Sequence, residues 1–341
     1  MSPDSSRPWL RFVIIGCLTR DYILPINGSP QLDTLGGSLP YTAVGLNLWG
    51  NTAGMLAKVG EDFPMHRLDR FRDLGFDLTG IKALPGSVDL RRFMAHIDSD
   101  TTQYENPVQH FADRGLTYPP KLMGYRTGKS IISSRTTPLK NSIQFSDIPE
   151  AYFEATAVHI CPIDYLSHLV LPSIFHQGQA STITLSSSPG YMDPSFWEEI
   201  PALLSDLTAF FTSEAEIRRL FQARTSDLWG MAETLAGYGP EYILIQTTSW
   251  GYYLYDGISK TRLIIPNYTT TIVDPTGAAD AFIGGFIAGY RENYDPVDAA
   301  VMGSIAASLV IEGSGVFFAL DSLPSLKDAR RTALRDLVRE V

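Results

Sequence analysis

A run of small residues closed by an acid, Asp274-Pro275-Thr276-Gly277-Ala278-Ala279-Asp280, is the stretch of this chain best suited to chemistry. Ile272 and Val273 read as the end of a strand, the small residues as a tight turn, and a helix begins at about Gly277. The first amides of a helix lack internal acceptors, and the macrodipole puts partial positive charge beside them. With nothing larger than a methyl group at Gly277, Ala278 and Ala279, a phosphate can approach those amides closely. Asp280 lies one turn in, where its carboxylate can accept a proton from a hydroxyl beside the bound phosphate. The same pattern also suits an ordinary helix start, with Thr276 or Gly277 at the cap and Asp280 complementing the dipole.

The elements that must hold this loop follow from the rest of the pattern. Strand alternates with helix, which predicts an α/β sheet with helices on both faces. Residues 11–16 form a short apolar run suited to a central strand, and further strands are expected near 158–161, 182–185, 207–211 and 242–246. Residues 38–49 read as a helix that Ser38 can cap, with Pro40 in the first turn and Val44 and Leu48 on one face. Residues 65–74, 163–175 and 214–221 also read as helices, and the last third is mostly helical over 277–290, 296–311 and 326–339. Residues 91–97 alternate in strand fashion and the polar stretch after them lacks helical periodicity, so 89–117 is expected to be a β-rich excursion. Residues 126–146 read as a surface connection.

Composition bounds the alternatives. The 341 residues are 44% hydrophobic and 19% charged, enough to bury a sizeable core, and the formal net charge is -10. An acidic balance argues against a nucleic-acid or anionic-membrane surface, although local donors can still hold an anionic substrate. Cys17 and Cys161 lie in apolar runs and read as buried thiols, and the six histidines show no ligand spacing. The apolar run at 12–18 is too short for a membrane span and lacks a signal-peptide profile, so a cytoplasmic protein is expected.

Residues 272–282 resemble the signature of the ribokinase-like (PfkB) carbohydrate kinases, Asp-Thr-Thr-Gly-Ala-Gly-Asp in its usual form. Other parts of that pattern occur in order: Asp21 after the first strand, Gly36-Gly37 before the first helix, Val59-Gly60-Glu61-Asp62, Thr212-Ser213-Glu214-Ala215-Glu216, and Gly251. The resemblance covers about residues 11–325. It implies a three-layer α/β/α sandwich with a central, mostly parallel sheet and a small β-rich lid, from segments near 18–35 and 89–117. The C-terminal helix, within 326–341, would pack on the same domain.

The resemblance also implies roles. Asp280 would deprotonate the attacking sugar hydroxyl, and the amides of Gly277, Ala278 and Ala279 would form the anion hole. Asp21, Gly36, Gly37 and Tyr41 would contact a small sugar or polyol. Ser213, Glu216, Thr247, Thr248 and Gly251 would line the site for ATP, with Glu216 holding Mg2+ through water. Asp274 matches an aspartate that helps hold a monovalent cation, such as K+, in several members. Members often dimerise through the lid, and the excursion at 89–117 offers such a surface here.

Departures from the pattern define what to look for. Ala279 replaces a glycine, which costs about 1 kcal/mol if the position needs positive φ and nothing if it is helical. Tyr41 replaces an asparagine, Ser213 replaces another, and Gln246 and Thr248 stand where the hairpin has a threonine and a glycine. A kinase-fold protein that only binds a ligand or acts as a scaffold is therefore a second reading. A nucleoside kinase, with Tyr41 stacking on a base, is a third. Arg91 and Arg92 could reach substrate oxygens, but exposed strand arginines are the default expectation. A dinucleotide-binding oxidoreductase is disfavoured because no Gly-x-Gly-x-x-Gly follows the first strand.

Overall fold

The alternating apolar runs become strands whose side chains feed two separate cores. A computed structural model describes residues 10–127, 132–247 and 251–341. In chain order, β1 (Phe12–Ile15) leads to β2 (Thr19–Leu24), β3 (Gln31–Gly36), α1 (Ser38–Asn47) and β4 (Gly54–Gly60). Then come α2 (Asp69–Asp73), β5 (Asp77–Leu84), β6 (Arg91–His96), β7 (Thr102–Gln103), α3 (Pro107–Asp113), β8 (Ala157–Ile160) and α4 (Tyr165–His176). These are followed by β9 (Thr182–Ser186), α5 (Ile200–Leu204), β10 (Ala209–Ser213), α6 (Glu214–Phe221), α7 (Leu228–Ala236) and β11 (Tyr242–Thr247). The chain ends with β12 (Gly251–Asp256), β13 (Arg262–Ile265), α8 (Ala278–Asn293), α9 (Pro296–Val310), α10 (Pro324–Arg335) and β14 (Arg339–Glu340).

The large sheet runs β14-β13-β12-β11-β10-β9-β8-β1-β4-β5. Neighbours from β11 to β5 are parallel, and the pairs from β11 out to β14 are antiparallel. On β1, Phe12 and Ile14 enter the core shared with α1, α8 and α9, whereas Val13 and Ile15 enter the core beneath α4, α6 and α7. A strand buried on both faces has no polar side, which is why its sequence is a continuous apolar run. A separate four-stranded sheet, β3-β2-β6-β7, forms a lid with its own small core of Tyr22, Leu24, Phe93, Ala95, Phe111 and Leu122.

Several expectations need correction. No strand ends at Val273: its amide donates to the Ile311 carbonyl at 2.8 Å, and its carbonyl accepts from Ile26 at 3.0 Å. The apolar pair before Pro275 is too short to join a ladder and docks between the end of α9 and the lid. The excursion at 89–117 supplies β6 and β7 to the lid sheet as expected, and adds a helix, α3, that packs Phe111 against Phe93. Residues 65–74 form one 3-10 turn before the short α2. Gly37, not Ser38, is the N-cap of α1, and the helix is buried around most of its circumference. The connection before residue 146 turns inward, burying Ser142 and Ile143. Cys161 is a buried free thiol as expected, but Cys17 keeps some exposure.

Candidate active site

The reactive loop is placed by how closely α1 and α8 approach. A Cβ on Gly45 would lie 2.1 Å from the Ala281 carbonyl oxygen, and one on Gly284 would lie 2.1 Å from the Thr42 carbonyl oxygen. Only hydrogen fits at either position, so the two helices touch backbone to backbone. That contact brings Tyr41 of α1 over the start of α8. Gly277 is the N-cap of α8 with φ +81, and a Cβ there would lie 2.1 Å from the Tyr41 ring. Position 277 thus excludes any side chain twice, by backbone conformation and by space.

The helix start has the expected donors, with one adjustment. The Ala278 amide already donates to the Pro275 carbonyl at 3.3 Å. Among the described residues, the amides of Gly277, Ala279 and Asp280 have no acceptor. Ala279 lies inside α8 and has no positive φ, so its departure from glycine carries no backbone strain. The Asp280 carboxyl keeps a path to solvent, yet it is desolvated by the surrounding protein. That desolvation pushes its pKa up to about 6, with Arg92 opposing the rise and Asp21 adding to it.

Arg92 is the residue the sequence reading underrated. The lid pairs β2 and β6 in parallel with Asp21 opposite Arg92. The guanidinium then grips the carboxylate through Nη2 at 2.7 Å and Nε at 3.2 Å, while the Thr19 hydroxyl also donates to Asp21. Asp21 is wholly buried, whereas the Arg92 side chain is 35% exposed, so the arginine is the member of the pair that keeps access to solvent. A Cβ on Gly36 would overlap the Asp21 carboxylate, and one on Gly37 would collide with the Cys17 carbonyl. The glycine pair therefore makes room for Asp21 and the end of β1. Tyr41 is 1% exposed with its ring covered by Gly277, so it is a wall and has no free face for stacking.

Two cavities are candidates for ligands, and one of the two is lined by residues of the loop. One, of about 350 Å3, opens beside Cys17 and is lined by Lys58, Asn141, Asp164 and Ser188 among others. The other, of about 500 Å3, includes Ala278, Pro275, Ser213, Thr247, Tyr268 and Ser308 in its walls. Pro275 and Ala278 belong to the second, whereas no residue of the loop lines the first, which has Cys17 and Pro162 in its walls, the latter next to Cys161 in the chain. Ser213 and Thr247 thus reach the second cavity, and Thr248 lies outside the described residues. Gly251 supports from behind, since a Cβ there would meet the Ile265 carbonyl oxygen at 2.2 Å. Tyr268, Thr270, Ser304 and Ser308 line the cavity without having been anticipated. No local motif marks them, because they converge from a loop and α9.

Glu216 and Asp274 are both committed by hydrogen bonds. Glu216 completes a capping box at α6: its Oε2 accepts from the Ser213 hydroxyl at 2.8 Å, the Ser187 hydroxyl at 3.0 Å and the Ser213 amide at 3.2 Å. Its other oxygen is left for a further donor such as a metal-bound water. Asp274, 1% exposed, accepts from the Thr276 amide at 2.9 Å, from the Ser314 hydroxyl and from His96 Nε2 at 3.2 Å. Burial disfavours its charge, but these donors outweigh burial and hold its pKa below the usual carboxylate value. So enclosed, Asp274 does not fit a monovalent-cation ligand, and no step is assigned to such an ion.

The family model for pfkB family carbohydrate kinases matches residues 136–323. A cytidine kinase of Thermococcus kodakarensis is 26% identical over 283 residues, covering 82% of this chain and 88% of its own. Among solved structures, an E. coli protein described as a ribokinase II, in complex with ATP and Mg2+, superposes with TM-score 0.68 at 17% identity, over 95% of this chain and 99% of its own. The nucleoside kinase of Methanocaldococcus jannaschii superposes with TM-score 0.64 at 18% identity, over 96% and 100%. The sandwich, the lid and the loop at 274–280 are what such a match predicts, and this chain belongs to the pfkB family of carbohydrate kinases, phosphotransferases of the ribokinase fold.

Proposed function

We propose that the protein transfers the γ-phosphoryl group of ATP to a hydroxyl of a small sugar or related polyol, with Asp280 as the base. The observation that carries this reading is one desolvated carboxylate beside a helix start with orphan amides, with one cavity walled by the loop itself and a second beside Cys17. The cavity beside Cys17 takes the acceptor, and the cavity walled by Ala278 and Ser213 takes the nucleotide. Arg92, oriented by Asp21, faces the acceptor's oxygens. Gly36 and Gly37 keep that corner open, and Tyr41 closes its floor. The acceptor hydroxyl gives its proton to Asp280 as its oxygen attacks phosphorus, and the bond from phosphorus to the departing ADP oxygen breaks. The amides of Gly277 and Ala279 stabilise the charge on the transferring group, and Ala278 joins them if its long bond to Pro275 yields.

The ATP and Mg2+ of the E. coli relative fit the donor set here. When bound, Mg2+ neutralises charge on the phosphates; Glu216, through its free oxygen, would orient one of the ion's waters. A nucleoside acceptor is the second reading. It is favoured by the cytidine kinase relative and by Asn141 and Asp164 in the acceptor cavity, whose amide and carboxylate complement a base edge.

An ADP-release assay across sugars, cyclitols and nucleosides tests the proposal, with Asp280→Asn as control. Turnover is expected to fall by about 10²–10⁴-fold in the variant. Equal turnover in both proteins would remove Asp280 as base. Ligand-induced thermal stabilisation with no ADP release anywhere in the panel would replace the kinase by a binding protein.

A further inference from the structure

We infer that the C-terminal helix completes the nucleotide cavity through a single buried side chain, Arg330, which positions the wall made by Tyr268, Thr270 and Ser308. This rests on the assignment of that cavity to the nucleotide. Arg330 lies on α10, beyond the residues matched by the family model, and is 8% exposed. Its Nη1 donates to the Ser308 hydroxyl at 2.9 Å, and its Nη2 donates to Glu312 Oε1 at 2.6 Å. The same Glu312 oxygen accepts from the Thr270 hydroxyl. The guanidinium carbon also lies 4.6 Å from the centre of the Tyr268 ring. Tyr268, Thr270 and Ser308 all line the cavity.

Other supports of that wall lie at its ends. Residues 266–275 form neither helix nor strand, so no backbone ladder sets their position. The Ser304 hydroxyl donates to the Pro266 carbonyl at 2.8 Å, and at the far end the amides of Val273 and Asp274 donate to the Ile311 carbonyl at 2.8 and 3.2 Å; between these ends, the side chains of Tyr268 and Thr270 are tied through Arg330 and Glu312. A planar guanidinium suits the task, because its fork fixes two acceptors in one plane while its face meets an aromatic ring. The helix itself is fastened elsewhere. Arg331 pairs with Asp298, and Arg335 pairs with Asp295 at 3.0 Å and with Asp298 at 2.9 Å. Arg330 is thus separable from the docking of α10.

The test compares Arg330→Lys, Glu312→Gln and Thr270→Val with wild type by initial rates against both substrates, with thermal melts alongside. The lysine keeps the charge but cannot hold both acceptors. For Arg330→Lys and Glu312→Gln, KM for ATP is expected to rise about tenfold, with acceptor KM and kcat within about threefold of wild type. Thr270→Val removes one hydroxyl tie and is expected to raise KM for ATP about threefold. If the Arg330 variant does not fold, Thr270→Val decides by the same split. Unchanged KM for ATP in the folded variants, or both KM values and kcat moving together, overturns the inference. A wild-type protein that shows no thermal shift with Mg-ATP overturns the nucleotide assignment itself, and the inference with it.

Discussion

Asp280 combines an energetic cost with a use. Its folded pKa of about 6 stands above the ordinary 3.8, so the folded state holds its proton more tightly than the unfolded chain does. The stabilising contribution of that proton is complete below the lower value and is lost as pH rises through about 6. At neutral pH the ionised carboxylate therefore works against the fold. Asp280→Asn is expected to raise stability at pH 7 by about 1–2 kcal/mol, a figure reduced for the residue's partial solvent access. Chemical denaturation at pH 7 and pH 4 checks the sign, since the advantage should shrink at the lower pH. The same titration predicts an acid limb in kcat/KM near pH 6, with the rate falling about tenfold per pH unit below it. A flat profile from pH 5 to pH 8 would show that no group with that pKa must be ionised.

At the scale of the element, α8 and the loop before it set where the orphan amides lie. Gly277 takes φ +81 against the Tyr41 ring, whereas Ala279 is an ordinary residue of the first turn. Opposite responses to equally small changes follow. Gly277→Ala forces both a left-handed alanine and a collision with a buried ring, and is expected to cost about 2–4 kcal/mol and most of the activity. Ala279→Gly is expected to cost up to about 1 kcal/mol through helix propensity, with no gain in rate. Thermal melts and kcat for the pair separate the two cases. A large rate gain in Ala279→Gly would mean that the natural methyl group obstructs the phosphate after all.

At the scale of the whole molecule, a buried histidine joins the lid to the loop at 274–276, next to the backbone bonds from Ile26 and Asn27 to Val273. His96, on β6, is 3% exposed; its Nε2 lies 2.8 Å from the Thr276 hydroxyl and 3.2 Å from Asp274, and its Nδ1 lies 2.8 Å from the Thr102 hydroxyl on β7. With the proton placed on Nε2, the ring donates toward the loop and accepts from the lid turn, which satisfies every member of the group. His96→Ala removes that link and leaves buried polar groups unpaired, at a cost of about 2–3 kcal/mol. Amide exchange is expected to quicken in β6 and β7 while β8 to β11 stay protected. Uniform acceleration across both sheets would show that His96 supports the global fold instead of the lid.

How much of this was legible along the chain depended on the range of the forces involved. Strand and helix alternation, the small residues at 277–279 and the acid after them act through neighbouring residues, so the sandwich and Asp280 could be read directly. The capping box joining Ser213 and Glu216 is local in the same way, spanning one helical turn. Arg92 could not be read, because its inward role depends on β6 pairing with β2 across 71 positions, and a shift of one residue would turn it to the other face. Tyr41 looked like a ligand contact until the packing of α1 on α8 buried its ring. The wall of the cavity beside Ala278 was hidden for a related reason: residues 268–270, Ser308 and Arg330 meet only after α9 and α10 have packed. Sequence alone determined the make-up of the loop, its small residues, backbone donors and nearby acid, since these are local properties. Tertiary structure decided what surrounds that loop, because burial, register and helix contact are made by residues far apart in the chain.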